Sequence, residues 1–117
     1  MKKRILLVED DAAFRYAAEK ALVHAGFEVV TANDYSHALK MMESDELIDL
    51  LLTDIVMPKG INGFALARMG RMRRKNLQVL YMTAYDMPNE QADGKILRKP
   101  LSENDLVQEV KQAMAKR

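Results

Sequence analysis

Five residues of this 117-residue chain share one kind of position: Glu9, Asp10, Asp54, Thr83 and Lys99 each lie at or just beyond the end of a short apolar run. "ILLV" leads into Glu9-Asp10-Asp11, "LLT" into Asp54, "LQVLYM" into Thr83, and "KIL" into Arg98-Lys99-Pro100. If the fold gathers those run ends, three acids meet. At roughly 4 Å and an effective dielectric near 20, each close pair of them costs about 4 kcal/mol. Such a cluster implies a cation. With no cysteine and only two histidines, His24 and His37 on separate segments, the donors are oxygens and the ion is Mg²⁺, Mn²⁺ or Ca²⁺. A carboxylate beside that cation, an ammonium and a hydroxyl is equipped to take a phosphoryl group. The carboxylate attacks, while metal, lysine and hydroxyl hold the equatorial oxygens. Taken alone, Asp54 is better read as a helix cap or a turn residue.

What must position these residues is an alternation of strands and helices. "RILLV" (4–8), "FEVVTA" (27–32), "LIDLLLT" (47–53), "LQVLYMT" (77–83) and "KIL" (95–97) read as strands, several apolar on both faces. That is the pattern of a parallel sheet covered on both sides. Phe14, Ala17, Ala18, Ala21, Leu22 and Ala25 form a helical stripe that Gly26 ends, and Asp11 is placed to cap it. Tyr35, Ala38, Leu39 and Met42 mark a second helix, and Phe64, Leu66, Ala67 and Met69 a third. A last helix opens at Ser102, with Asp105 as a weak capping-box partner, and runs through Leu106, Val110 and Ala113. The expectation is one α/β domain over residues 1–117, a doubly wound five-stranded parallel sheet in the order 2-1-3-4-5 known for folds of this kind. In such sheets ligands bind at the carboxyl ends of the strands, where these five residues fall.

Bulk composition excludes other classes. With 49% hydrophobic and 30% charged residues the chain is ordinary for a globular domain, and a net charge of +1 gives no general attraction to nucleic acid or membrane. The absence of cysteine rules out disulfides and thiolate catalysis. No apolar run reaches membrane-spanning length, and "MKKRILLVEDD" is too short in its apolar part for a signal peptide, so a cytoplasmic location is expected. No glycine-rich phosphate loop is present. The basic run "RMGRMRRK" (68–75) reads as a solvated helix C-terminus rather than a nucleic-acid contact, the histidines as surface residues, and the nine methionines as core filler.

The ordered set "ILLVEDD", "LLTDIVMP", "MTAY" and "LRKP" resembles the receiver domain of bacterial two-component response regulators, of flavodoxin/CheY-like fold, over essentially the whole chain. The resemblance implies that Asp54 is the phospho-acceptor and Asp10 a direct Mg²⁺ ligand. Glu9 then helps through water, the main-chain carbonyl of Val56 completes the metal ligands, Thr83 and Lys99 bind phosphoryl oxygens, and the Lys99–Pro100 peptide is cis. Partners implied are a histidine kinase or phosphotransfer protein, docking near Ala13, Tyr16 and Lys20, and a downstream protein. Catalysis would be limited to the chain's own phosphorylation and dephosphorylation. Val56 also separates the chain from haloacid-dehalogenase-type phosphatases, which need a second Asp two positions after the first.

Two features depart from the family pattern. Ile96 stands where receivers usually carry an aromatic switch residue, and only 11 residues (84–94) join the fourth and fifth strands. Returning along a fourth strand of about five residues takes roughly 16 Å, or roughly 11 helical residues plus turns. The helix there is therefore expected to be shortened or missing, with at most a short piece at 88–92 opened by Pro88 and ended by Gly94. Three readings remain open: a stand-alone phospho-acceptor, a receiver module of a hybrid kinase or transcription factor, and a pseudo-receiver that binds protein without being phosphorylated.

Overall fold

The computed structural model describes residues 2–57, 62–85 and 94–115. Five parallel strands, β1 (Arg4–Val8), β2 (Glu28–Ala32), β3 (Leu50–Asp54), β4 (Gln78–Thr83) and β5 (Lys95–Arg98), form one sheet in the order β2-β1-β3-β4-β5. The described residues hold four helices: α1 (Ala12–His24), α2 (Tyr35–Glu43), α3 (Gly63–Arg73) and α4 (Glu103–Ala115). This is the expected doubly wound α/β fold. The short helix expected at 88–92 falls outside the described residues.

Strand alternation divides the apolar residues between two cores. Leu6, Val8, Leu51, Val79 and Tyr81 face α2 and α3, where Ala38, Met42, Phe64, Leu66 and Ala67 meet them. Ile5, Leu7, Leu50, Leu52, Leu80 and Met82 face α1 and α4, against Ala18, Leu22, Leu106 and Val110. Each fully buried side chain of this size contributes about 1.5–3 kcal/mol, so the three central strands are clamped from both sides. That clamp holds the strand ends still.

Local signals set the helix starts. Asp11 accepts from the Ala13 and Phe14 amides at 2.9 and 3.2 Å, Asp34 from His37 at 2.8 Å, Asn62 from Ala65 at 3.0 Å and Ser102 Oγ from Asp105 at 3.0 Å. Gly26, with φ of 104°, makes the left-handed turn after α1.

Two expectations need correction. The third strand is Leu50–Asp54 rather than 47–53. At its start the Asp49 carboxylate takes the Arg4 amide at 2.8 Å, and Leu47 is exposed, so the apolar run begins before the strand does. The run "RMGRMRRK" does form the exposed C-terminal end of α3, and two of its arginines also serve a neighbouring helix: Arg73 donates to the Glu43 carbonyl at 3.1 Å, and Arg74 to the carbonyls of Met42, Ser44 and Glu46. They close the C-terminus of α2, whose last carbonyls lack helical partners. The methionines divide: Met42, Met57 and Met82 are buried, whereas Met72 is 83% exposed. His24 and His37 are both exposed, as expected. Among the described residues no helix is long and apolar enough to cross a membrane.

Candidate functional site

The carboxyl ends of β1, β3 and β4 and the segment after β5 bring Glu9, Asp10, Asp54, Val56, Thr83 and Lys99 around one crevice of about 170 Å³, with Asp11, Ala84 and Tyr85 completing its wall. Register does this. Val8 pairs with Thr53, and Asp54 with Met82, so the residues that follow in β1 and β4 flank Asp54. The Lys99 amide donates to the Thr83 carbonyl at 2.8 Å and carries the lysine to the same rim. The Lys99–Pro100 peptide is cis.

Asp54 is held from behind. Thr53 Oγ1 donates to its carbonyl at 2.9 Å, and the Gly63 amide donates to the Ile55 carbonyl at 2.8 Å. A Cβ on Gly63 would lie 2.3 Å from the Asp54 carbonyl oxygen, so only glycine lets α3 start this close to β3.

The charges are arranged around Lys99. Its Nζ lies 2.6 Å from Glu9 Oε1 and 2.9 Å from Asp54 Oδ1, with the three side chains 18%, 1% and 9% exposed. Burial, and then the hydrogen bond and negative charge of Glu9, push the Asp54 carboxyl up to about 7, against the opposing pull of Lys99. Burial also raises Glu9, but its hydrogen bonds with Asp54, Lys99 and the Asp11 amide outweigh this and hold it below its ordinary value. Burial lowers Lys99, yet the hydrogen bonds to Glu9 and Asp54 leave its ammonium above the usual lysine value. Without a further cation, Glu9 is thus the ionised partner and Asp54 the group that readily holds the proton.

Both Glu9 oxygens are engaged, Oε1 by Lys99 and Oε2 by the Asp11 amide at 3.0 Å. Asp10 is exposed at the mouth of the crevice, and Val56, a residue 51% exposed, stands at its lip. Thr83 is buried, and its Oγ1 accepts from the Tyr85 amide at 3.1 Å. One oxygen each from Glu9, Asp10 and Asp54 can be chosen so that all lie within 4.8 Å of one another. That donor set suits a hard divalent cation, which keeps several waters and takes only a few carboxylates.

Two residues of the site were not singled out for it by sequence reasoning. Arg15 Nη1 donates to the Glu9 carbonyl at 2.8 Å, and the Phe14 ring lies under the Lys99 ammonium, 4.4 Å from Nζ to the ring centroid. Both stand in the first turn of the helix that Asp11 caps. A helix starting at the acid pair must place its third and fourth residues beside that pair, which was the available signal.

The family model described as "Response regulator receiver domain" matches residues 5–111. The response regulator receiver protein CpdR of Brucella abortus (strain 2308) is 36% identical over 118 residues, spanning 96% of this chain and 97% of that protein. Another curated relative, a transcriptional regulatory protein of Bacillus subtilis (strain 168), is 34% identical but matched over only 47% of its length. The solved receiver domain of the hybrid histidine kinase CckA superposes with a TM-score of 0.83 at 35% identity, over 95% of this chain and 98% of that one. The response regulator TrrA of Thermotoga maritima, solved in complex with Mg²⁺ and BeF, gives 0.80 at 32% identity over the same shares. A family match over nearly the whole chain, on a sheet whose strand ends gather this crevice, has one meaning: the protein belongs to the response regulator receiver domain family.

Proposed function

We propose that this receiver takes a phosphoryl group onto Asp54 from a histidine kinase or phosphotransfer protein and signals through protein contacts. The carrying observation is the bridge from Lys99 Nζ to Glu9 and Asp54 in a crevice closed by Thr83. An ionised Asp54 oxygen attacks phosphorus; the phosphorus–nitrogen bond of the donor phosphohistidine breaks, and its electron pair stays on the imidazole. Lys99 favours the ionised carboxylate and, bound at Asp54 Oδ1, would meet one oxygen of the incoming phosphoryl group. The Thr83 hydroxyl serves another. Mg²⁺, held by Asp10, Asp54 and the Val56 carbonyl with Glu9 acting through water, would supply the charge that neutralises the remaining oxygens. Water later hydrolyses the acyl phosphate and restores Asp54.

Partner docking belongs to the face of α1 beside the crevice. Tyr16 is 63% exposed there, with Ala13 and Lys20 also exposed, and the CckA receiver is itself part of a histidine kinase. The test is intact-mass measurement after incubation with acetyl phosphate and Mg²⁺. One added phosphoryl group is expected, absent from Asp54→Asn; equal labelling of that variant refutes the assignment.

A further inference from the structure

We propose that Phe14 is a positioning residue for Lys99, its ring keeping the ammonium at the crevice while the ammonium exchanges carboxylate for phosphoryl oxygens. The proposal rests on the reading of Asp54 as phosphoryl acceptor. An ammonium has three N–H donors. Glu9 Oε1 and Asp54 Oδ1 engage Lys99 Nζ at 2.6 and 2.9 Å, and the Phe14 centroid lies 4.4 Å away. A π face attracts a cation without demanding one direction, so it holds through a change of oxygen partners. The protein contains a contrast: Lys20 lies 5.2 Å over the Tyr16 ring, but both residues are exposed and water competes for the cation. The Lys99 side chain is only 18% exposed, so its ring contact is less screened.

The placement of Phe14 is tied to the same acids. Its amide donates to Asp11 Oδ1 at 3.2 Å, and the Asp11 amide donates to Glu9 Oε2 at 3.0 Å. Phe14 also packs on the core between the sheet and α1 and α4. If packing were its whole role, a leucine would serve as well.

Full-length Phe14→Leu, Phe14→Tyr and Phe14→Trp separate the two roles. Labelling by acetyl phosphate and Mg²⁺, followed by intact mass, is expected to slow about two- to fivefold in the leucine variant. The tyrosine and tryptophan variants are expected to stay near the wild-type rate. Without phosphoryl donor or metal, carbon–proton NMR should show the Lys99 ε-methylene displaced upfield by the ring current, and the displacement lost in Phe14→Leu. A leucine variant that labels at the wild-type rate overturns the proposal. So do aromatic variants as slow as leucine, or an undisplaced Lys99 methylene in the wild type. A wild-type chain that takes no label at all would instead overturn the acceptor reading itself.

Discussion

Lys99 Nζ and Glu9 Oε1 lie 2.6 Å apart although the residues are 90 positions apart in the chain. The pair closes the sheet's carboxyl edge across the whole fold, and Asp54 shares its cation. Removing the cation leaves two buried acids facing each other. Lys99→Met is therefore expected to lower metal-free stability at pH 8 by about 3 kcal/mol, and millimolar Mg²⁺ to restore part of the loss. Urea unfolding in EDTA and in Mg²⁺ checks both halves; a variant as stable as wild type in EDTA would show that the bridge is not needed.

The Asp54 carboxyl, held up to about 7 from 3.8, binds its proton more tightly in the folded chain. Stability from that proton is full below the unfolded value and is lost as pH rises through the folded one. Asp54→Asn is therefore expected to melt higher than wild type in EDTA at pH 8, by about 1 kcal/mol or more. Toward pH 5 the advantage should shrink. Thermal melts across that range test the sign, and a variant that melts lower at pH 8 would contradict it.

Asp10 lies in solvent, unlike Glu9 and Asp54, the two other acids of the crevice. Crowding of acids read from sequence alone suggests that neutralising Asp10 relieves repulsion in the metal-free fold. The structure assigns the buried repulsion to Glu9 and Asp54. Asp10→Asn is expected to change metal-free stability by less than about 0.5 kcal/mol. It should nonetheless abolish any rise in melting temperature with Mg²⁺, a rise expected of the wild type. Melting curves over a Mg²⁺ titration decide the matter.

Gly63 bears on the site from behind Asp54. Its absent Cβ would meet the Asp54 carbonyl oxygen at 2.3 Å, and backbone cannot swing aside as a side chain can. Gly63→Ala is expected to cost about 1–3 kcal/mol and to slow labelling by acetyl phosphate, because Asp54 must shift. Crystallography of the variant should show α3 or the end of β3 displaced; an unmoved Asp54 with normal labelling would remove the argument.

Arg74 offers a control away from the crevice. Its guanidinium serves the carbonyls of Met42, Ser44 and Glu46 at the end of α2. Arg74→Met is expected to cost about 1–3 kcal/mol while leaving the labelling rate of the remaining folded protein unchanged. Chemical unfolding beside mass-based labelling separates the two effects.

Much of this was legible in the residues themselves. Period-two and period-3.6 apolar patterns are local, so β1, α1 and the remaining described elements appear within a few positions of where they fold. Short polar caps such as Asp11 and Ser102 act over three residues and carry no long-range information. The acids, Thr83 and Lys99 announced themselves because each follows an apolar run. Tertiary structure alone decided which charges would meet at bonding distance. That Glu9 pairs with Lys99, that Phe14 underlies the same ammonium, and that the arginines of α3 close α2 all depend on register and helix packing between distant segments. Asp10 and Glu9 are adjacent acids in the sequence, just past the end of β1; the bend that leaves the strand turns one to solvent and buries the other, and that difference decides which of them repels Asp54.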